Sequence, residues 1–240
     1  MPRLSQSKVQ RSIEILTTNG QLPQAQAVIA QVGYGPEALS AGATMLQEWL
    51  THRNESKVLL SEQKKATQAQ KQAQYAAKKE MTNLAQTARL LFSDDEPVLT
   101  SLGLLTRYES VEVKEDATGE VRTQSVAKRP SQSTADMIDR WRLLVTNAQA
   151  LGEEEKMLLA NAGWTAERLT AAQTLVEAYA TADTQQQQAV QVYKTQSALA
   201  NEALQNMRTW YSRASRLIKL AIKTSDAEGR EKLEDLLGLT

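Results

Sequence analysis

The sequence has no cysteine, which excludes disulfides, thiolate nucleophiles and cysteine-ligated metal sites. Its single histidine is His52, so a zinc site would have to rest on one imidazole and carboxylates, an unusual donor set. No Glu-x-x-His, phosphate-cradling glycine loop or nucleophile elbow occurs, and with them go the usual di-iron, nucleotide-binding and hydrolase signatures. The opening residues lack the apolar core of a secretory signal, and no run approaches the roughly eighteen apolar residues of a membrane span. These absences predict a soluble, cytoplasmic, non-enzymatic protein with no catalytic residues, cofactor or metal. Lys+Arg 28 against Asp+Glu 28 leaves no net charge, so bulk electrostatics gives no general pull toward nucleic acid or anionic membranes. One phenylalanine, five prolines and ten glycines in 240 residues favour helix over sheet.

What is present is a stretch from Ala166 to about Lys223 without proline or glycine. Alternating steps of three and four from Leu169 reach Ala172, Val176, Tyr179, Asp183, Gln186, Val190, Tyr193, Ser197, Ala200, Leu204, Met207, Tyr211, Ala214, Ile218 and Ala221. All but Asp183, Gln186 and Ser197 are apolar or aromatic, which makes a heptad seam. At 1.5 Å per residue such a helix is about 85 Å long.

A second long pattern runs from Glu37 to Phe92, interrupted only by Gly42. Gln31-Val32-Gly33-Tyr34 aligns with Asn161-Ala162-Gly163-Trp164 at a spacing of 130 residues, which brings Leu39, Leu46 and Trp49 onto Leu169, Val176 and Tyr179. Leu102-Gly103-Leu104 resembles Leu237-Gly238-Leu239. Shorter helical patterns precede each long one: Val9, Ile13 and Leu16 before a left-handed stop at Gly20, a second helix opened by Pro23 and closed by Gly33, and Met137, Trp141 and Leu144 after a cap within Ser131–Thr134. Matched punctuation and matched heptad phase predict a tandem duplication. The expected fold is all-α, an elongated helical bundle of two long antiparallel coiled-coil helices with short helices at the ends. Its divisions are residues 1–106 and 134–240 as two repeats packing as one domain, and 107–133 between them. That segment reads either as a small β-hairpin, turning at Asp116-Ala117-Thr118-Gly119, or as a disordered polar linker.

Both seams are apolar at their ends and polar in the middle, where the first copy carries Arg53, Ser56, Gln63, Thr67, Gln70 and Gln74. A polar middle favours one register over tight association. Breaks near His52 and Asp183 are the alternative to continuous helices. Antiparallel packing brings Trp49 toward Tyr211 and Tyr179 toward Met81, and burial of such residues contributes roughly 1.5–3 kcal/mol each.

Lys57, Lys64, Lys71 and Lys78 recur every seven residues, one stripe with steps of about 10 Å. Arg213, Arg216 and Lys219 belong to a second basic region that the acidic residues from Asp226 to Asp235 are placed to neutralise. These cations form either an anion or partner surface or a solvated face. Tyr34, Trp49, Trp164, Tyr179, Trp210 and Tyr211 are expected in packing, with Tyr34 and Trp164 stapling a short helix to a long one; a partner surface is the other use of such aromatics. Glu153-Glu154-Glu155 opens a helix, where its dipole favours carboxylates. The functional expectation is a scaffold or interaction module with a protein partner, including a homodimer through the polar central seam. The alternatives are a membrane-active protein in the manner of α-helical pore-forming toxins, with the hairpin as a tongue, and a nucleic-acid binder using the lysine stripe.

Overall fold

The computed structural model describes residues 6–105, 108–114, 121–127, 133–225 and 230–239. The protein is all-α in its architecture. Helices α1 (Gln6–Asn19) and α2 (Pro23–Ile29) precede the long α3 (Pro36–Leu91) and the short α4 (Glu96–Ser101). Strands β1 (Tyr108–Lys114) and β2 (Val121–Ala127) pair antiparallel from Tyr108–Ala127 to Lys114–Val121. Helices α5 (Thr134–Gln149), α6 (Glu153–Asn161), the long α7 (Ala166–Thr224) and α8 (Arg230–Leu236) complete the chain. The expected turn at Asp116–Gly119, Ser131 and Asp226 lie outside the described residues. Both long helices are continuous through His52 and Asp183.

Local chemistry accounts for the boundaries. Pro23 opens α2 at its first turn, where its missing N–H costs nothing. The Asp95 carboxylate accepts the Val98 N–H at 3.0 Å, and the Ser133 hydroxyl accepts the Asp136 N–H at 3.2 Å, each satisfying an orphan donor at a helix start. Gly33 and Gly163 sit at φ 81° and 85°, and the next amides, of Tyr34 and Trp164, donate back to Ile29 O at 3.1 Å and Leu159 O at 2.8 Å. Gly103 and Gly238 repeat this geometry before Leu104 and Leu239, whose amides each donate at 2.9 Å. Only glycine adopts these φ values without strain. Gly20 differs from expectation, because it is not among the left-handed glycines. A Cβ there would lie 2.5 Å from Leu16 O and 2.8 Å from Leu39 Cδ1, so close packing is what requires glycine.

The chain divides into two compact units, residues 1–63 with 189–240 and residues 64–188. Each unit therefore combines a segment of the first half with one of the second, a division different from 1–106 and 134–240. In unit 1, Ile13 and Val9 of α1 pack with Leu46, Trp49, Leu204 and Met207. A second cluster gathers Leu16, Ile29, Tyr34 and Leu39 around Ala214, Ile218, Ile222 and Leu237. In unit 2, α5 supplies Ile138, Leu144 and Val145 to a core of Met81, Leu84, Ala88, Val176 and Tyr179, which Phe92, Leu102, Leu159 and Trp164 complete. Trp49 and Tyr211 share one cluster, and Met81 and Tyr179 another.

The long helices run antiparallel within each unit. In unit 2, Gln70 bonds Asp183, Glu80 bonds Arg168 and Thr87 bonds Trp164; one number rises as the other falls. In unit 1, Gly42 faces Trp210 and His52 faces Gln196. No described buried residue is polar or charged. Between Trp49 and Ala77, and between Tyr179 and Leu204, no residue is buried at all. There the seam positions are half-buried, and the Gln70 and Asp183 side chains bond each other.

Candidate interaction surfaces on the long helices

In unit 1 the packing of α3 against α7 leaves two grooves of different chemistry. One is bordered by Arg53, Lys57 and Asn201, with Leu60, Tyr193 and Ala200 below them. The Arg53 guanidinium stands 5.1 Å from the Trp49 ring centre, close enough for its charge to interact with the ring face. Lys57 belongs to this unit, and Lys64, Lys71 and Lys78 belong to unit 2. All four lysines are exposed, and none enters an ion pair among the described residues.

The second groove has an apolar floor of Met45, Leu199 and Ala203, an acidic rim of Glu48 and Glu202, and Tyr34, Trp210 and Arg213 at one end. The Tyr34 and Trp210 rings meet edge to face, with centroids 6.0 Å apart at 71°, a favourable quadrupole arrangement. Trp210 lies directly over Gly42, where a Cβ would come within 2.2 Å of the ring. Burial pushes the Tyr34 phenol pKa up, and the Arg213 charge partly offsets this. His52 also lines the groove. Its Nδ1 is 2.9 Å from Gln196 Nε2, which also donates to Glu55 Oε2 at 2.5 Å. An amide that donates to Nδ1 pairs with the tautomer that carries its proton on Nε2. This network positions side chains on the two helices, and it offers no nucleophile for a base to activate. Among the described residues no group of three His, Asp or Glu is placed to hold a metal ion.

Of the second basic region, Arg213 and Arg216 are exposed and Lys219 is half-buried. Arg208, Arg213 and Arg216 border one shallow groove along α7. Tyr34, Trp49, Trp164 and Tyr179 are buried, and Trp210 and Tyr211 are half-buried against the cores.

Unit 2 arranges its aromatics differently. Trp164 donates through Nε1 to Thr87 Oγ1 at 3.2 Å, and the Arg168 guanidinium stacks 4.0 Å from its ring centre. Arg168 Nη2 then reaches Glu80 Oε2 at 3.0 Å, and Nη1 donates to Gly163 O at 3.2 Å. Trp141 of α5 packs on Tyr179 at 5.9 Å. Next to it Arg142 clasps Glu177 through Nε at 2.7 Å and Nη2 at 2.6 Å, a bidentate pair that lowers the Glu177 pKa and raises that of Arg142.

Sequence reasoning missed the acidic rim, the Trp210–Gly42 contact and the Arg168–Glu80 bridge. Glu48, Glu55 and Glu62 recur every seven residues and were findable by the same count that finds the lysines. Cross-helix pairs such as Arg168–Glu80 carry no local signal. No described helix is long and apolar enough to cross a membrane. Compared with protein families, curated proteins and solved structures, the chain matches none.

Proposed function

We propose that the chain is a non-enzymatic interaction module of the cytoplasm, produced by tandem duplication and built on a pair of coiled-coil helices. The carrying observation is where burial stops. Between their buried ends, α3 and α7 have no buried residue from Leu50 to Ala76 and from Ala180 to Ala203. Stability does not require so much charged and half-covered helix surface, and helix faces of this kind suit docking of other proteins. Duplication is supported by the paired left-handed glycines at Gly33 and Gly163, the paired amide bonds that follow them, and burial of Leu39, Leu46 and Trp49 alongside Leu169, Val176 and Tyr179.

The test is retention of proteins by the immobilised chain from a lysate of its source cells, beside a Val192→Arg/Leu199→Arg variant. Both side chains are exposed, at 51% and 41%, so the fold tolerates the change. A discrete protein retained by the native chain and lost by the variant supports the module. No protein retained above a scrambled-sequence control overturns it. A second reading, a polyanion binder, is favoured by the absence of ion pairs at Lys57, Lys64, Lys71 and Lys78 among the described residues. It predicts retained nucleic acid that is released steeply with salt.

A further inference from the structure

Two charge rows on α3 share one interval. Glu48, Glu55 and Glu62 lie in unit 1, Lys64, Lys71 and Lys78 lie in unit 2, and all six are exposed. Seven residues of helix advance about 10 Å, so both rows have the same pitch. No lysine of the row enters an ion pair among the described residues. The positions three and four residues after each lysine hold Thr67 and Gln68, Gln74 and Tyr75, and Met81 and Thr82, none of which carries the charge that would make a helix ion pair. Glu48 and Glu62 also make no ion pair among the described residues.

Each row has an apolar companion. Tyr75 is 74% exposed and stands between Lys71 and Lys78. The groove lined by Met45, Leu199 and Ala203 takes Glu48 from the row and Glu202 from α7, and on α3 it reaches from Met45 to His52. An exposed aromatic flanked by cations thus has its chemical counterpart in an apolar groove lined by two carboxylates, at one end of a glutamate row with the pitch of the lysine row.

We infer that the partner is a second copy of this chain: the lysine row of one copy docks on the glutamate row of another, and Tyr75 enters the groove. This rests on the reading of the protein as an interaction module and names its partner. Zero net charge leaves no long-range repulsion between copies. Donor and acceptor are different surfaces, so the contact is head-to-tail, and each added copy presents a free row of each sign.

Sedimentation velocity tests this with three triple variants: K64E/K71E/K78E, E48K/E55K/E62K, and a control, K65E/K79E/K223E, with the first variant's net charge but the row intact. The expected result is association of the native chain at about 10 mM salt, where charges act over ~30 Å, and its loss at about 1 M, where they act over ~3 Å. Each row variant is monomeric alone, the two mixed re-associate at least about tenfold more tightly than either alone, and the control, with both rows intact, associates by itself as the native chain does. Re-association also shows that both row variants are folded. Tyr75→Ala weakens native association about tenfold, as expected of a buried aromatic anchor. A native chain that stays monomeric at low salt, or a mixture that fails to re-associate, overturns the inference. Lysate partners retained despite that failure would leave the module standing with another protein as its ligand.

Discussion

The two units solve one packing problem with different chemistry. Tyr34 in unit 1 and Trp164 in unit 2 both follow a left-handed glycine and both are buried at the entry to a long helix. The residues around them, compared at the spacing of 130, are Ala38 and Arg168, Gly42 and Ala172, and Trp210 and Glu80. In unit 1 an indole covers the entry ring, and a glycine makes room for it. In unit 2 a guanidinium covers the ring, and a carboxylate across the seam holds the guanidinium. One framework thus accepts either an aromatic or an ionic cover. The aromatic cover leaves an open groove beside it, which makes unit 1 the better candidate for docking.

The largest expected effect is at the covered rings. Trp164→Ala removes a side chain that is 2% exposed and should cost about 3–5 kcal/mol by urea denaturation. Tyr34→Ala should cost about 1–2 kcal/mol less, because half-exposed Trp210 can settle into the space. Equal losses would show the two corners to be energetically equivalent and would break the comparison.

The next effect tests the glycine. Gly42→Ala gains about 1 kcal/mol of helix propensity and loses more through overpacking against Trp210, for a net cost of about 1–2 kcal/mol. Trp210→Glu on that background removes the overlap, and adding Ala38→Arg builds the unit 2 cover in unit 1. That last step should recover about 1 kcal/mol through stacking and charge pairing. No recovery, with circular dichroism unchanged, would mean the ionic cover depends on more of unit 2 than these positions.

The smallest effect is the Arg142–Glu177 pair. Both side chains are nearly half exposed, so solvent screening limits the pair to about 0.5 kcal/mol at neutral pH. Arg142 lowers the Glu177 pKa, so the contribution is present above the ordinary glutamate pKa and is lost as pH falls through the lowered one. Denaturation midpoints of the native chain and Arg142→Ala should therefore differ at pH 7 and converge in acid. A constant difference would assign the effect to packing of the arginine stem.

Much of this organisation is legible in sequence because heptad spacing and glycine punctuation are local signals. Leu39, Trp49, Val176 and Tyr179 are buried where the pattern puts them, and continuity of α3 and α7 follows from the scarcity of helix breakers. Gly20 misled because a glycine at a helix end signals either a left-handed φ or a close approach, and only the surroundings decide. The acidic groove was hidden for another reason: Met45, Glu48, Leu199 and Glu202 meet only once two helices are aligned.

The Gln70–Asp183 bond has a consequence for the path of folding. The heptad spacing is so regular that a pair of helices displaced by one heptad would still set seam face against seam face. In unit 2 a displacement toward the end of α3 would bring Asp183 to the level of Ala77, which is fully buried, and a carboxylate taken out of water there without its Gln70 partner costs several kcal/mol. The bond therefore acts less as an adhesive than as an error check: misaligned pairs come apart quickly, and the aligned pair is the one that lasts.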